Sequence, residues 1–373
     1  MNLKFWKKPA PKKPVSKTRE WFNSITFAVI AATLIRWTTV EAFVIPTPSM
    51  EDSALVGDFL FVSKFHYGTR TTTTPLQIPL THQKIWGTNI PSYVEWIELP
   101  IYRFPGISHV KKGDVVVFNV PSVGMNEGVE RPITLKSNFV KRCVAIGGDR
   151  IEVRERQVYV NGEPLPNPKG MKYSYIVISS EQISPKNLRR LGLGSDDAYY
   201  LGTDPSNKAV YRMLLTDEHL TQINEVSYIE SATLDRSRSD APEPDIFPTS
   251  KYGWNADNYG SLTVPKKGMT IQVNDSTMGL YGETIRLYEH QNNVDVANGH
   301  LMIDGKAHTE YTFIQDYYFM MGDSRNNSED SRYWGFVPDD HVVGKALFVW
   351  MSIDQEADFF HKIRWKRLFS RIQ

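Results

Sequence analysis

The sequence predicts a mainly β protein. An all-β core of antiparallel sheets carries a large inserted second subdomain, and one N-terminal transmembrane helix anchors it to a membrane. Short apolar runs bounded by glycine and charge recur from residue 58 onward, and helical patterns are sparse. A single long apolar stretch follows a basic N-terminus. With 373 residues, 41% of them apolar, the chain is long enough for two or three domains and is neither fibrous nor disordered.

The N-terminal region predicts a basic cytoplasmic tail at 1–20 and a transmembrane helix at 21–45. The charge-free stretch from Trp21 to Ile35 has 15 residues, whereas a spanning helix needs ~20. The span therefore has to continue through Val40–Val44, with Arg36 near an interface. No small-residue cleavage site follows the apolar run, and tryptophans near its two ends resemble interfacial anchors. The alternative is a buried or interfacial amphipathic helix.

Charge is distributed unevenly along the chain. The 43 basic and 42 acidic residues give a net charge of +1, which argues against a nucleic-acid partner. Residues 1–20 nevertheless carry seven basic groups and one acid, and residues 355–373 carry five and two. Basic ends on an acidic body favour contact of each end with a lipid bilayer.

Four short runs and two turns indicate the core strands. Asn161-Gly162 and the Asp304-Gly305 of Leu301–Lys306 are strong hairpin signals. Helical patterns occur near Thr216–Val226, at Pro185–Leu191 and in the C-terminal segment, whereas 227–265 is interpreted as a surface loop. The runs predicted as strands are Phe59–Val62, Asp114–Phe118, Ile151–Arg154 and Gln157–Val160.

These patterns divide the remaining chain into four parts. The core is expected to consist of 46–164 and 313–353, separated by an inserted subdomain at 165–312. Residues 354–373 form a basic segment whose apolar residues recur at i, i+3, i+4 and i+7. That spacing predicts an amphipathic helix that either lies in a membrane interface or packs on the acidic body. Its apolar residues are Trp365, Leu368, Phe369 and Ile372.

Common catalytic and metal-binding signatures do not occur in the sequence. It lacks a nucleophile elbow, a zinc-protease motif, a phosphate loop and a dinucleotide fingerprint. Asp323–Asp330 superficially resembles a calcium loop, but it has no glycine at its sixth position and places Arg325 among the ligands. The single cysteine, Cys143, excludes an internal disulfide and a zinc site with two or more thiolates. We therefore expect no metal and no cofactor.

Three separated segments are dense in unusual residues. In Ile45–Met50, two prolines favour an extended edge that is open to pair with a peptide. Phe139–Asp149 places Lys141 within an otherwise apolar strand, where composition alone favours an exposed position. Met320–Pro338 is rich in small polar residues and is typical of a tightly hydrogen-bonded loop, which by itself indicates a structural role.

Together the three segments resemble the conserved boxes of bacterial signal peptidase I, a membrane-bound Ser–Lys endopeptidase that removes signal peptides. The resemblance covers about 45–68, 109–164 and 313–353. It implies hydrolysis after small residues at the end of the signal peptides of exported preproteins. It also implies a single-pass protein of the bacterial inner (cytoplasmic) membrane, with a cytoplasmic N-terminus and a catalytic core on the outer (periplasmic) face. The boxes are PTPSM, GDFLFVSKFHYG, VKRCVAIGGD and MGDSRNNSEDSRYWGFVP.

The resemblance also implies a role for each matching residue. Ser49 matches the nucleophile, Lys141 the general base, and Ser328 the serine that hydrogen-bonds the lysine. Thr47 matches a hydroxyl of the oxyanion hole. The positions that line the pockets for small side chains are Phe43, Ile45, Met50 and Val140. The structural positions near the site are Asp323 and Arg142, and the ion pair of Asp330 and Arg332.

The sequence departs from the family at two places near the nucleophile. Asp52-Ser53-Ala54 stands where Pro-Thr-Leu is frequent, which leaves the shape of the first pocket open. Pro48 replaces a common glycine, and it makes the turn between Thr47 and Ser49 stiffer.

The proposed dyad requires a neutral lysine. The reference pKa of lysine is ~10.4, but desolvation can lower it by up to ~3–5 units. An apolar setting would therefore let Lys141 take the Ser49 proton without a histidine.

Two alternative functions remain. A self-cleaving Ser–Lys protease of the repressor type is disfavoured by the membrane segment and by the lack of a helix-turn-helix. A membrane-tethered β-rich binding or assembly protein without catalysis would be expected to lose Ser49, Lys141 or Ser328.

Overall fold

The computed structural model describes residues 16–372 except 52, 123, 127, 237–240, 356, 359 and 360. The predicted tail at 1–20 therefore falls mostly outside the described residues. The helices are α1 (Lys17–Thr38), α2 (Pro185–Arg190), α3 (Asp217–Asn224), α4 (Asp275–Tyr288) and α5 (Ser331–Trp334).

The strands are numbered in chain order. They are β1 (Val40–Val44), β2 (Asp58–Ser63), β3 (Val115–Asn119), β4 (Asn138–Ile146), β5 (Arg150–Arg154), β6 (Gln157–Val160), β7 (Glu163–Pro164), β8 (Tyr173–Ser179), β9 (Ala198–Thr203), β10 (Ala209–Leu215), β11 (Ile229–Leu234), β12 (Tyr259–Thr263), β13 (Thr270–Gln272), β14 (Val294–Ala297), β15 (His300–Ile303), β16 (Lys306–His308), β17 (Glu310–Thr312), β18 (Tyr317–Met321), β19 (Val337–Pro338) and β20 (Val342–Ser352). The prediction of a mainly β fold is confirmed.

Antiparallel pairing organises these strands. The largest sheet has the order β1-β2-β20-β3-β4-β18-β19, so strands that are distant in sequence become neighbours. The smaller sheets have the orders β11-β8-β10-β9, β12-β5-β6-β7, β14-β15-β16 and β13-β17. The predicted hairpins are confirmed, since β6 pairs with β7 across Asn161-Gly162 and β15 pairs with β16 across Asp304-Gly305.

Hydrophobic packing divides the residues between 165 and 312 into two parts. The sheet of β8 to β11 has a core of its own, which includes Val177, Met213 and Ile223. The second part shares a core with the large sheet, because Tyr281 of α4 lies in one cluster with Phe319 of β18. Among the described residues of this region, the first part therefore has a hydrophobic core separate from that of the large sheet.

Helix α1 follows the predicted apolar stretch but ends earlier than predicted. It begins after Ser16, whose hydroxyl caps it by accepting from the Arg19 N–H, and it ends at Thr38. Val40–Val44, which was predicted to continue the span, instead forms β1 and pairs with β2. In the described part of the chain, none of the helices combines the length and apolarity needed to cross a membrane.

The predictions for the inserted region were partly right. The helical patterns near Pro185 and Thr216 are confirmed by α2 and α3, and Ser184 and Thr216 cap them. The loop prediction for 227–265 is wrong at both ends, where β11 and β12 pair with β8 and β5. Helix α4 was missed, although Asn274 and Thr277 form a capping box at its start.

The predicted amphipathic helix in 354–373 is wrong. In its described residues the segment has one 3₁₀ turn at Trp365–Arg367 and no α-helix, and Arg371 forms a β-bridge with Phe348 of β20. The Phe369 N–H donates to Val349 O (2.7 Å), and the Val349 N–H donates to Ser370 O (2.9 Å). The physical reason is that β3 pairs only with the first part of β20, Val342–Lys345, so the remaining edge is open to the C-terminal segment. Phe359 and Phe360 lie outside the described residues.

Candidate active site

Ser49 lies on a single 3₁₀ turn, Pro48–Met50, that follows β1. Pro48 occupies the first position of this turn, where its fixed φ angle is favourable. The side chain of Met50 is 1% exposed and anchors the turn in the hydrophobic core. The Ser49 carbonyl accepts a hydrogen bond from the Ser324 N–H (3.1 Å), so the loop after β18 holds the turn from the other side. Ser49 itself stays partly accessible.

Lys141 lies in the middle of β4, directly opposite Val116 of β3. Because β18 pairs with the other edge of β4, neighbouring strands enclose the lysine, and only 4% of the residue is exposed. The interpretation of Lys141 as an exposed strand residue is therefore wrong. Its Nζ lies 2.5 Å from the Ser49 Oγ. The fold thus joins two residues that are 92 positions apart in the chain.

Burial changes the acidity of Lys141. Desolvation lowers the pKa of its amine to about 8, while Asp330 and Asp323 oppose this shift and Arg332 supports it. At neutral pH roughly one amine in ten is then unprotonated, compared with about one in a few thousand for an ordinary lysine. A neutral amine in contact with a serine hydroxyl can accept its proton, which is the arrangement of an activated nucleophile.

Gly322 lets the loop after β18 approach the dyad closely. A Cβ at this position would lie 2.2 Å from the Ser328 Oγ and 2.6 Å from the Ser49 carbonyl oxygen. Ser328 is 9% exposed, and its hydroxyl makes no hydrogen bond with the described residues. The structure thus brings Ser328 beside Gly322, but the hydrogen bond to Lys141 that the resemblance implies is not formed.

Two buried ion pairs support the dyad. The Asp330 carboxylate accepts from the Arg332 Nε (2.9 Å) and Nη2 (2.8 Å), and also from the Gly322 N–H (3.0 Å). Arg142 donates to both carboxylate oxygens of Asp323, from its Nε (2.8 Å) and Nη2 (2.6 Å). Such two-pronged pairs fix the orientation of both side chains. The Arg142–Asp323 pair links β4 to the loop after β18, and Asp330 joins Arg332 to Gly322 within that loop and α5.

Asp323 and Asp330, the first and last residues of the sequence that resembles a calcium loop, form these two ion pairs. Among the described residues, no group of three or more His, Cys, Asp or Glu side chains is arranged to hold a metal ion.

The four predicted pocket residues meet in one cluster of apolar side chains beside Ser49. Ile45 and Met50 are 3% and 1% exposed, so they belong to the core beneath the surface. Phe43 and Val140 are half-buried and present part of their surface. Thr47 is exposed.

Two residues near the site were not assigned a role from the sequence. Ser53 donates from its hydroxyl to Asp323 Oδ2 (2.5 Å). The sequence Asp52-Ser53-Ala54, which departs from the family, therefore adds a hydrogen bond to the ion pair of Arg142 and Asp323. Asp52 lies outside the described residues. Lys172, at the start of the insertion, donates from its backbone N–H to Asp323 O (3.1 Å), and its Nζ makes a buried ion pair with Asp197 (2.7 Å). No sequence signal marks Lys172, because its position depends on contacts with distant residues.

Comparison with known proteins agrees with this geometry. The family model described as "Signal peptidase, peptidase S26" matches residues 18–205 and 263–351. A protein named signal peptidase I from Haemophilus influenzae is 24% identical, covering 97% of this chain and 78% of the relative. A signal peptidase I from Helicobacter pylori is 25% identical, covering 92% and 90%. One from Buchnera aphidicola is 24% identical, covering 87% and 73%.

The family match includes both β1 with the Ser49 turn and β4 with Lys141. It is interrupted at 206–262, within the insertion. Since it extends over more than half of the chain, the chain belongs to the signal peptidase family, peptidase S26.

Proposed function

We propose that this chain is a signal peptidase I, a serine endopeptidase in which Ser49 is the nucleophile and Lys141 the general base. The observation that carries the proposal is the 2.5 Å approach of a buried lysine amine to the serine hydroxyl. The low pKa of Lys141, about 8, supports the same assignment. Lys141 removes the proton as Ser49 Oγ attacks the scissile carbonyl, and it then gives that proton to the leaving amine.

Hydrolysis of the acyl-enzyme completes the reaction. Lys141 takes a proton from water, the hydroxide attacks the ester carbonyl, and the Ser49 oxygen leaves with the proton that Lys141 returns. In both halves the negative charge on the carbonyl oxygen is stabilised by the Ser49 N–H and the Thr47 hydroxyl, and a donor of this kind is typically worth ~2.7–4 kcal/mol. We assign to the Ser328 hydroxyl the role of orienting the Lys141 amine during the reaction; in the described structure this hydroxyl has no hydrogen-bond partner, so it is free to form that contact.

The substrate is the extended end of a signal peptide, bound by strand addition. β1 is an edge strand of the large sheet, and β2 pairs with it on one side only. Phe43 and Val140 pack against the core residues Ile45 and Met50 and remain half-buried. We assign these four residues to the surface that receives the small side chains next to the scissile bond.

The enzyme acts at the bacterial inner membrane, with helix α1 as its anchor. The large apolar side chains of α1 project away from the body, and Trp21, Phe22 and Phe27 are 66–73% exposed. Exposed apolar surface on this scale is typical of contact with lipid. Arg36 and Trp37 near the end of the helix are suited to the interface. The catalytic core then lies on the outer face, and the basic tail remains in the cytoplasm.

The test is cleavage of a synthetic signal peptide by the full chain in detergent. The parent should cleave once, after a small residue, and Ser49→Ala and Lys141→Ala should each abolish cleavage. Ser324→Ala is a matched control, because it removes a buried hydroxyl near the same turn. Binding of the peptide without cleavage by the parent would favour a non-catalytic binding protein. Full activity of either dyad variant would refute the mechanism.

A further inference from the structure

A cavity of about 380 Å³ lies between the end of α1 and the core. One wall is formed by Leu34 and Trp37 of α1, and another by residues between 71 and 82. Glu41 of β1 and Asn138 of β4 also line it. These are the two strands that lead to Ser49 and to Lys141, so the cavity lies at the α1 end of the path along which a peptide would extend from the dyad.

The distance from the dyad indicates which part of a substrate reaches this cavity. Asn138 precedes Lys141 by three residues on β4, which corresponds to roughly 10 Å of extended strand. The part of the substrate before the scissile bond includes the apolar segment of the signal peptide, so it approaches from the side of α1. An extended peptide with its scissile carbonyl at Ser49 therefore enters the cavity about four residues before that bond.

The walls of the cavity are suited to an apolar side chain. Leu34, Trp37, Ile78 and Leu80 contribute apolar surface. Thr74 also belongs to the lining. This residue is 1% exposed, and its hydroxyl has no hydrogen-bond partner among the described residues. A buried hydroxyl of this kind is costly unless a ligand group pairs with it, and a peptide backbone provides such groups.

The charges of the lining disfavour a basic side chain. The Glu41 carboxylate is already shared by Arg36 Nε (2.5 Å) and Lys64 Nζ (2.8 Å). Arg70, a third cation of the lining, donates to a backbone carbonyl and an amide oxygen, which are neutral acceptors. Three cations of the lining therefore accompany one carboxylate, so the positive charges outnumber the negative one and an additional lysine from a substrate would meet net repulsion.

We infer that this cavity is a specificity site that receives the substrate residues about four to seven positions before the scissile bond. It favours apolar side chains there and rejects basic ones. The inference rests on the proposed function, since it takes Ser49 as the point of cleavage. Much of the lining comes from residues 71–82, a stretch that lies within the part of the chain matched by the family model.

The test uses the full chain in detergent and two peptides that differ only at the fifth to seventh positions before the bond. One peptide carries leucine at these positions and the other lysine. We expect kcat/KM to be at least about tenfold higher for the leucine peptide. Ile78→Asp places an anion in the cavity, so it should raise cleavage of the lysine peptide and lower that of the leucine peptide.

Leu76→Asp is the matched control for this experiment. Leu76 is 48% exposed and Ile78 46%, and the two lie in the same segment, but Leu76 is not part of the lining. Leu76→Asp should therefore leave the ratio of kcat/KM for the leucine peptide to kcat/KM for the lysine peptide unchanged. Should Ile78→Asp fail to fold, judged by its melting temperature, Thr72→Asp introduces the charge at another lining position.

The possible failures can be distinguished. Equal cleavage of both peptides by the parent, with both reactions abolished by Ser49→Ala, would overturn the specificity site and leave the dyad intact. A parent that cleaves neither peptide would overturn the proposed function and this inference with it. If Ile78→Asp changed binding to phospholipid vesicles but not the peptide ratio, the occupant would be a lipid, and the inference would be wrong.

Discussion

Lys141 owes its chemistry to desolvation. An amine enclosed by neighbouring strands loses the water that stabilises its charge, so its pKa falls to about 8 although two carboxylates nearby favour the charged form. The burial required for this effect comes from β3 and β18, which pair with the two edges of β4. The sequence around Lys141 is apolar, but apolar neighbours in a strand do not by themselves determine which face is covered.

The pKa of Lys141 predicts the acid limb of the pH profile. The general base has to be neutral, and the protonated fraction rises as the pH falls below about 8. We expect kcat/KM for a signal peptide to decrease about tenfold per pH unit below that value. Lys141→Arg should be inactive at every pH, because a guanidinium does not deprotonate in a protein. A profile that stays flat between pH 6 and 9 would contradict the assignment.

Ser328 and Ser324 provide a test for a positioning hydroxyl. Both are buried in the loop after β18, and both hydroxyls lack a hydrogen-bond partner among the described residues. Removing either hydroxyl should therefore cost little stability. Ser328→Ala should nevertheless lower kcat and alter the acid limb, because the Lys141 amine loses its orienting partner. Ser324→Ala should do neither. Equal kinetics of the two variants would show that Ser328 is structural.

Among the secondary-structure elements, the C-terminal segment shows why apolar residues at helical spacing can fail to form a helix. Its apolar spacing predicts a helix, but a free edge of β20 offers backbone hydrogen bonds that the segment satisfies in an extended form. Arg367 adds a second constraint, since its guanidinium donates to the Asp58 carboxylate, which is fully buried. Phe369 has a φ angle of 59°, which a helix does not accommodate. Tertiary contacts therefore override the local pattern.

The Arg367 ion pair predicts a specific loss of stability. Arg367→Met leaves the carboxylate of Asp58 buried with fewer partners, so we expect the free energy of unfolding to fall by about 2–3 kcal/mol. Arg371→Met is the control, because Arg371 is exposed on the same segment and should change stability by less than ~0.5 kcal/mol. Urea unfolding measures both. Equal stability of the two variants would mean that the C-terminal segment does not stabilise β2.

At the scale of the whole molecule, the site is assembled from parts that are far apart in the chain. Ser49, the proposed nucleophile, follows β1, and Lys141, the proposed base, lies on β4 and contacts Ser49. Gly322 in the loop after β18 lies close to Ser328 and to the Ser49 carbonyl. Lys172 connects the beginning of the insertion to the same loop. The sheet of β8 to β11 has its own core, and the Ser174 N–H of β8 donates to Asn326 Oδ1 (3.0 Å) in the same loop.

The proposed role of α1 as a membrane anchor predicts how a chain without this helix behaves. Removing residues 1–38 deletes the exposed apolar helix but leaves β1, whose Glu41 keeps its ion pair with Lys64. We expect this chain to leave the membrane fraction and to retain cleavage of a peptide that begins three residues before the scissile bond. Flotation with vesicles and peptide hydrolysis measure the two properties. Continued binding to vesicles would indicate that another surface holds the protein at the membrane.

The sequence alone determined the features that depend on neighbouring residues. Alternation and Asn-Gly or Asp-Gly turns indicate strands and hairpins because the backbone preferences involved are local. Helical patterns near Thr216–Val226 and at Pro185–Leu191 likewise indicated α3 and α2. Ser49 and Lys141 were recognised from short segments whose residue types resemble those of one family.

Only the tertiary structure decided how these parts meet. Whether Lys141 is covered, whether Val40–Val44 continues a helix or pairs with β2, and whether the C-terminal segment is helical all depend on partners elsewhere in the chain. The physical reason is that burial and the pairing of strand edges are nonlocal. An unpaired edge attracts whichever segment can reach it, and an amine loses its charge only where distant strands exclude water.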